Sequence, residues 1–126
     1  MTRTQTAGDT EALRARLSTA LTFHASFDHG SDADFALGDK QIYTATVQDG
    51  QTVVALTPGL GDPPIAIVEG QGKFGSALAF TQENSHIVLY KADQNVAYSP
   101  AAFRGTASFW LRLDPAEIMR VLSELT

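Results

Sequence analysis

The sequence predicts an all-β fold, an antiparallel β-sandwich, with a short helix at each end. Three observations carry that expectation. Short apolar runs alternate with polar residues at a period of two, as in Thr22–Phe27, where Phe23, Ala25 and Phe27 share one side. Gly, Pro and Asp turn signals separate these runs, at Asp49-Gly50, Pro58-Gly59, Gly61-Asp62-Pro63-Pro64, Gly70-Gln71-Gly72 and Ser99-Pro100. No strand–helix–strand rhythm occurs between residues 22 and 113, which disfavours a parallel, doubly wound sheet.

Composition sets the outer bounds. At 126 residues there is room for one ordinary domain, and 44% apolar residues supply a core, so wholesale disorder is excluded. The net charge is −5 and the nine Lys and Arg form no run, so a nucleic-acid groove is not expected. The absence of cysteine excludes disulfides, thiolate zinc sites and thiol catalysis. No run approaches the roughly 18 apolar residues of a membrane helix, and the polar N-terminus lacks the apolar region of a secretion signal. No membrane partner is expected.

In order along the chain, residues 1–8 are expected to be a disordered tail, and 9–126 the single domain. A helix is expected over 9–21, with Asp9 or Thr10 as its cap and Leu13, Leu17, Ala20 and Leu21 on one face. Strands are expected at Thr22–Phe27, Gln41–Val47, Thr52–Thr57, Ile65–Val68, Ser76–Thr81, His86–Tyr90 and Thr106–Leu113. Asp114-Pro115-Ala116-Glu117 reads as a cap, a proline at the first helical position and a first-turn glutamate. It opens a helix over 115–125 whose stripe is Ile118, Met119, Leu122 and Leu125. Phe27, Phe80, Phe109 and Leu111 are expected to be mostly buried, and Trp110 to anchor the core from the opposite strand face.

Two stretches resemble a known family. Thr22-Phe23-His24-Ala25-Ser26-Phe27-Asp28 leads to Asp32-Ala33-Asp34-Phe35-Ala36-Leu37-Gly38-Asp39. Gly72-Lys73-Phe74-Gly75-Ser76-Ala77-Leu78-Ala79-Phe80 is followed by Gly105-Thr106-Ala107-Ser108-Phe109-Trp110-Leu111. In this order they resemble the LamG-like jelly-roll domains of the concanavalin A-like lectin/glucanase superfamily, over roughly residues 20–114. The resemblance implies a jelly-roll sandwich of which this chain holds the N-terminal half, incomplete by itself. It also implies a compartment that is often extracellular or periplasmic. A half sandwich leaves sheet edges and apolar faces open. A longer chain, a second copy or the terminal helices would have to cover them, so self-association through a sheet edge or the helices is one expectation.

Four carboxylates, Asp28, Asp32, Asp34 and Asp39, fall within twelve residues beside Gly30 and Gly38. Asp28, Asp32 and Asp34 are calcium candidates, because calcium takes several hard oxygen ligands from flexible loops and some LamG-like domains bind it. The spacing is not that of an EF-hand, and a solvated loop with Asx-turn duties is the competing reading. His24, His29 and His86 have no zinc-site spacing. Glucanases of this superfamily carry two glutamates flanking an aspartate on one strand. Glu11, Glu69, Glu83, Glu117 and Glu124 are not so placed, and no serine sits in a nucleophile elbow. No catalytic residues are expected. Tyr43, Tyr90 and Tyr98 are candidates for sugar stacking, with polar donors at Lys91-Ala92-Asp93-Gln94-Asn95, against a reading as ordinary strand aromatics. The lone G-x-G-x-x-G at Gly70–Gly75 precedes a strand and is read as a turn. The leading expectation is a non-catalytic module that recognises a glycan or another ligand. The alternatives are an assembly module that contributes sheet edges to a larger protein, and an ancillary domain of a glycan-processing enzyme.

Overall fold

The computed structural model describes residues 2–61, 65–82 and 86–125. Among the described residues the strands pair in small antiparallel sheets, with a helix toward each end of the chain. Helix α1 spans Thr2–Ala20, and the strands are β1 Phe23–His24, β2 Phe35–Ala36, β3 Ile42–Gln48, β4 Thr52–Pro58, β5 Ile65–Val68, β6 Ala77–Phe80 and β7 His86–Tyr90. Helix α2 spans Pro115–Glu124. Among the described residues the strands form three sheets, in the orders β1-β2, β4-β3-β7 and β5-β6.

The β3–β4 hairpin follows directly from its turn. Gln51 N–H donates to the Gln48 carbonyl at 3.3 Å. The two central residues, Asp49 (φ 55°) and Gly50 (φ 71°), both take the left-handed conformation. That is the type I′ turn an Asp-Gly pair favours, and its twist matches a hairpin. The ladder pairs Thr44 with Thr57 and Ala45 with Leu56, and a bulge between Thr46 and Val47 leaves Val54 unpaired. On its other side β3 pairs with β7, Thr44 opposite Val88 and Ala45 opposite Ile87.

The folded nucleus gathers around β3. Ile42 and Ala45 are fully buried, with Thr44, Ala33, Ile65 and Asn95 close behind. On the Ile42–Thr44 face, the Phe23 ring packs at 4.7 Å from the Tyr90 ring, and Tyr90 Oη donates to the Ser31 carbonyl at 2.6 Å. That contact ties β1 to β7. The opposite face carries Val53 and Leu56 of β4 and Ile87 of β7, all about half exposed.

Several sequence expectations are corrected. The first strand stops at His24, because side chains capture the backbone beyond it. Asp34 Oδ2 accepts Ser26 N–H at 2.6 Å, and Ser26 Oγ accepts Asp28 N–H at 3.1 Å. Such local bonds compete with a ladder, and Phe27, half-buried, sits at φ 66°. Thr106–Leu113 is not a strand, since no sheet edge among the described residues pairs with it. Phe109 and Leu111 are therefore exposed rather than buried, at 77% and 68%. Phe80 is 59% exposed because, among the described residues, its sheet has two strands and leaves that end open. Trp110 lies at the surface, edge-on to Phe74 at 5.8 Å with Lys73 Nζ 5.2 Å from its ring centre.

Helix α1 begins at Thr2, ahead of the expected Asp9, and Thr10 does not cap it. Its hydroxyl donates back to the Thr6 carbonyl inside the helix instead. Helix α2 starts as read. Asp114 Oδ1 accepts Ala116 N–H at 2.9 Å, and Pro115 opens the first turn. Every described side chain in either helix is exposed, so neither apolar stripe is covered. No helix among the described residues is long and apolar enough to cross a membrane. Asp62, Pro63, Pro64 and Glu83, part of the turn and glutamate readings, lie outside the described residues.

Candidate functional site

The acidic loop is structural in its placement. Asp28 Oδ1 accepts Ser76 N–H at 2.7 Å, bridging the segment after β1 to the turn before β6. Gly75 lies close beside it, and a Cβ there would push the Asp28 carboxylate aside. Asp32 Oδ1 accepts Ile42 N–H at 3.1 Å, which fixes the start of β3. Asp34 takes Ser26 N–H and His29 Nδ1, the latter at 2.9 Å, with His24 Nδ1 3.5 Å away. The His29 bond, followed by the Ser26 amide, holds the Asp34 carboxyl down at about 2. The three calcium candidates thus serve three separate backbone donors. Among the described residues no three His, Asp or Glu side chains stand together as a metal would need. His86 contributes its backbone to β7, and its side chain lies outside the described residues.

The three tyrosines do not form one platform. Tyr90 is half-buried against Phe23, and that burial raises its hydroxyl to about 12. Tyr98 stacks obliquely on Phe103 at 5.5 Å. Tyr43 alone joins a polar cluster.

That cluster is built by two loops, 37–39 after β2 and 91–95 after β7. Asn95 braces them. Its buried amide Nδ2 donates to the Asp39 carbonyl at 2.8 Å and the Lys91 carbonyl at 2.9 Å, while Oδ1 accepts Gly38 N–H at 2.8 Å. Its own carbonyl accepts Thr22 Oγ1 at 2.8 Å. Gly38 has no room for a side chain, since a Cβ would meet the Asp93 carbonyl. Asn95 N–H and Val96 N–H both donate to the Ala92 carbonyl, closing the 92–95 turn with Gln94 at φ 62°.

The outer wall is charged. Asp39 Oδ1 accepts Gln41 N–H at 2.9 Å, and Oδ2 accepts the Tyr43 hydroxyl at 2.7 Å with Lys91 Nζ 3.4 Å away. Lys91 Nζ also stands 4.5 Å from the Tyr43 ring centre, a cation–π arrangement. The Tyr43 hydroxyl and the Gln41 amide lower Asp39, while Tyr43 and Asp39 raise Lys91, so both stay charged around neutrality. Between the loops lies an open depression of about 440 Å³, lined by Leu37, Gly38, Asp39, Lys91, Asp93 and Gln94. It offers carboxylates, an ammonium and an amide around one small apolar side chain. Chemically it suits a ligand rich in hydroxyls better than an apolar one.

The sequence marks Lys91–Asn95 as polar donors but sets them beside Tyr90. Their aromatic neighbour in the structure is Tyr43, and sequence reasoning missed the bracing role of Asn95. The one signal for it is an asparagine inside a polar turn that directly follows an apolar strand. Comparison with protein-family models, with curated proteins and with solved structures found no match.

Proposed function

We propose that the chain is a non-catalytic recognition module, organised as part of a LamG-like, concanavalin A-like jelly-roll sandwich. In this reading it takes a hydroxyl-rich ligand, a glycan, in the depression between residues 37–39 and 91–94. The single observation that carries the reading is that depression. A buried asparagine holds the backbone of Gly38, Asp39 and Lys91 in place, and Asp39 and Lys91 pair at the rim, while Asp93 and Gln94 stand exposed beside them. Preorganised polar groups give orientation and specificity to a small-ligand site. The LamG-like organisation draws further support from the Asp28–Ser76 bond, which joins the two segments that carry the resemblance. Fold likeness alone does not fix function, so the weight rests on the site.

A glycan array probed with the full chain tests the reading. Binding to defined glycans, lost in Asp93→Ala and in Lys91→Ala, is the expected result. Failure to bind any glycan, or binding that both variants retain, would overturn it.

A further inference from the structure

We propose that two copies of the chain associate by exchanging their C-terminal arms, residues 99–125. Each arm covers the open face of β3, β4 and β7 in its partner.

The first support is area. The chain exposes 10367 Å². A folded monomer of this mass exposes about 6,500 Å², leaving an excess of roughly 3,900 Å². Obligate dimers bury about 2,000–5,000 Å² counted over both partners. One chain therefore carries enough uncovered surface to form such an interface.

The second support is where the uncovered apolar surface lies. Every described side chain from Val96 to Leu125 is exposed, and residues 99–113 belong to no helix or strand. This arm nevertheless has strand-like alternation at Phe109 and Leu111 and a helical stripe that includes Leu122. A surface able to receive it is the sheet face with Val53, Leu56 and Ile87 about half exposed. The outer strand β4 reads Thr-Val-Val-Ala-Leu-Thr-Pro, with all seven residues exposed and none charged. Edge strands that stay unpaired are often guarded by charge, and this one carries none, its only guards being the bulge at Val54 and the terminal Pro58.

Charge favours the exchange. The arm, residues 99–125, is neutral, with Arg104, Arg112 and Arg120 against Asp114, Glu117 and Glu124, whereas residues 1–98 hold six basic and eleven acidic residues. A neutral arm meets an acidic body without the repulsion that two acidic bodies face to face would suffer. Reciprocal exchange also closes as a two-fold dimer, without an open chain of contacts.

The chain has no native cysteine, so introduced ones report cleanly. Leu56→Cys and Leu122→Cys replace exposed side chains and leave the buried nucleus untouched. Two measurements decide. Light scattering on the unmodified chain at tens of micromolar should give twice the 13.5 kDa chain mass. A mixture of the two single-cysteine chains, treated with a short bismaleimide, should yield a covalent link between position 56 of one chain and position 122 of the other, located by peptide mapping. A monomer of 13.5 kDa overturns the proposal. So does a dimer in which these positions fail to link, or a double variant, Leu56→Cys with Leu122→Cys, that links only within one chain.

Discussion

Replacing Asn95 by alanine should release the two loops that form the depression. The Asn95 side chain is buried, and it makes three hydrogen bonds to backbone groups of Gly38, Asp39 and Lys91. Each such bond contributes about 1 kcal/mol net, and orphaned buried partners raise the loss, so Asn95→Ala should cost roughly 3 kcal/mol. For a domain of this size that lowers the melting temperature by about 10 °C. Asn95→Asp should cost at least as much at neutral pH. Its carboxylate still accepts from Gly38 but faces the Asp39 and Lys91 carbonyls without a donor. Urea titration and thermal melting followed by circular dichroism measure both. Asp93→Ala, an exposed change in the same turn, serves as the control and should stay within about 0.5 kcal/mol. If Asn95→Ala were no more destabilising than that control, the brace would not exist as described.

Two further outcomes follow from the acidic loop. Asp34 is held at about 2, below its unfolded value, so its contribution is present above pH 4 or so and is lost as pH falls through about 2. Asp34→Asn should therefore flatten the fall in stability between about pH 4 and pH 2, read by acid titration of the unfolding midpoint; an unchanged acid limb would refute the pairing. Millimolar calcium should leave the melting temperature unchanged, because Asp28, Asp32 and Asp34 are committed to separate amides. A calcium-dependent rise that Asp32→Ala with Asp34→Ala abolishes would show that the loop gathers ligands after all.

The parts of the fold that local chemistry decides are legible in the sequence. The Asp49-Gly50 turn sets its hairpin, the apolar runs at Ile65–Val68 and His86–Tyr90 form strands with those bounds, and Asp114-Pro115 starts α2. What fails depends on distant partners. Thr106–Leu113 has the alternation of a strand, but alternation supplies no neighbour to pair with, and none of the described strands pairs with it. Phe80 and Phe109 are expected inside because phenylalanine usually is, whereas burial needs a second layer that the described residues do not place over them. At Phe27 the alternation favours a longer first strand, and the Asp34 and Ser26 side chains end it. The site shows the same division. The polar character of Lys91–Asn95 can be read directly, but its pairing with Leu37–Asp39 spans more than fifty residues and depends on the β3–β7 ladder.

The recognition reading is tested most directly by amide chemical shifts. The full chain, labelled with ¹⁵N, is titrated with the neutral oligosaccharides that the array selects. The account predicts that shifts concentrate at Leu37–Asp39 and Lys91–Asn95, saturate with ligand, and vanish in Asp93→Ala. Shifts centred elsewhere, or no saturable shift in these two loops, would contradict it.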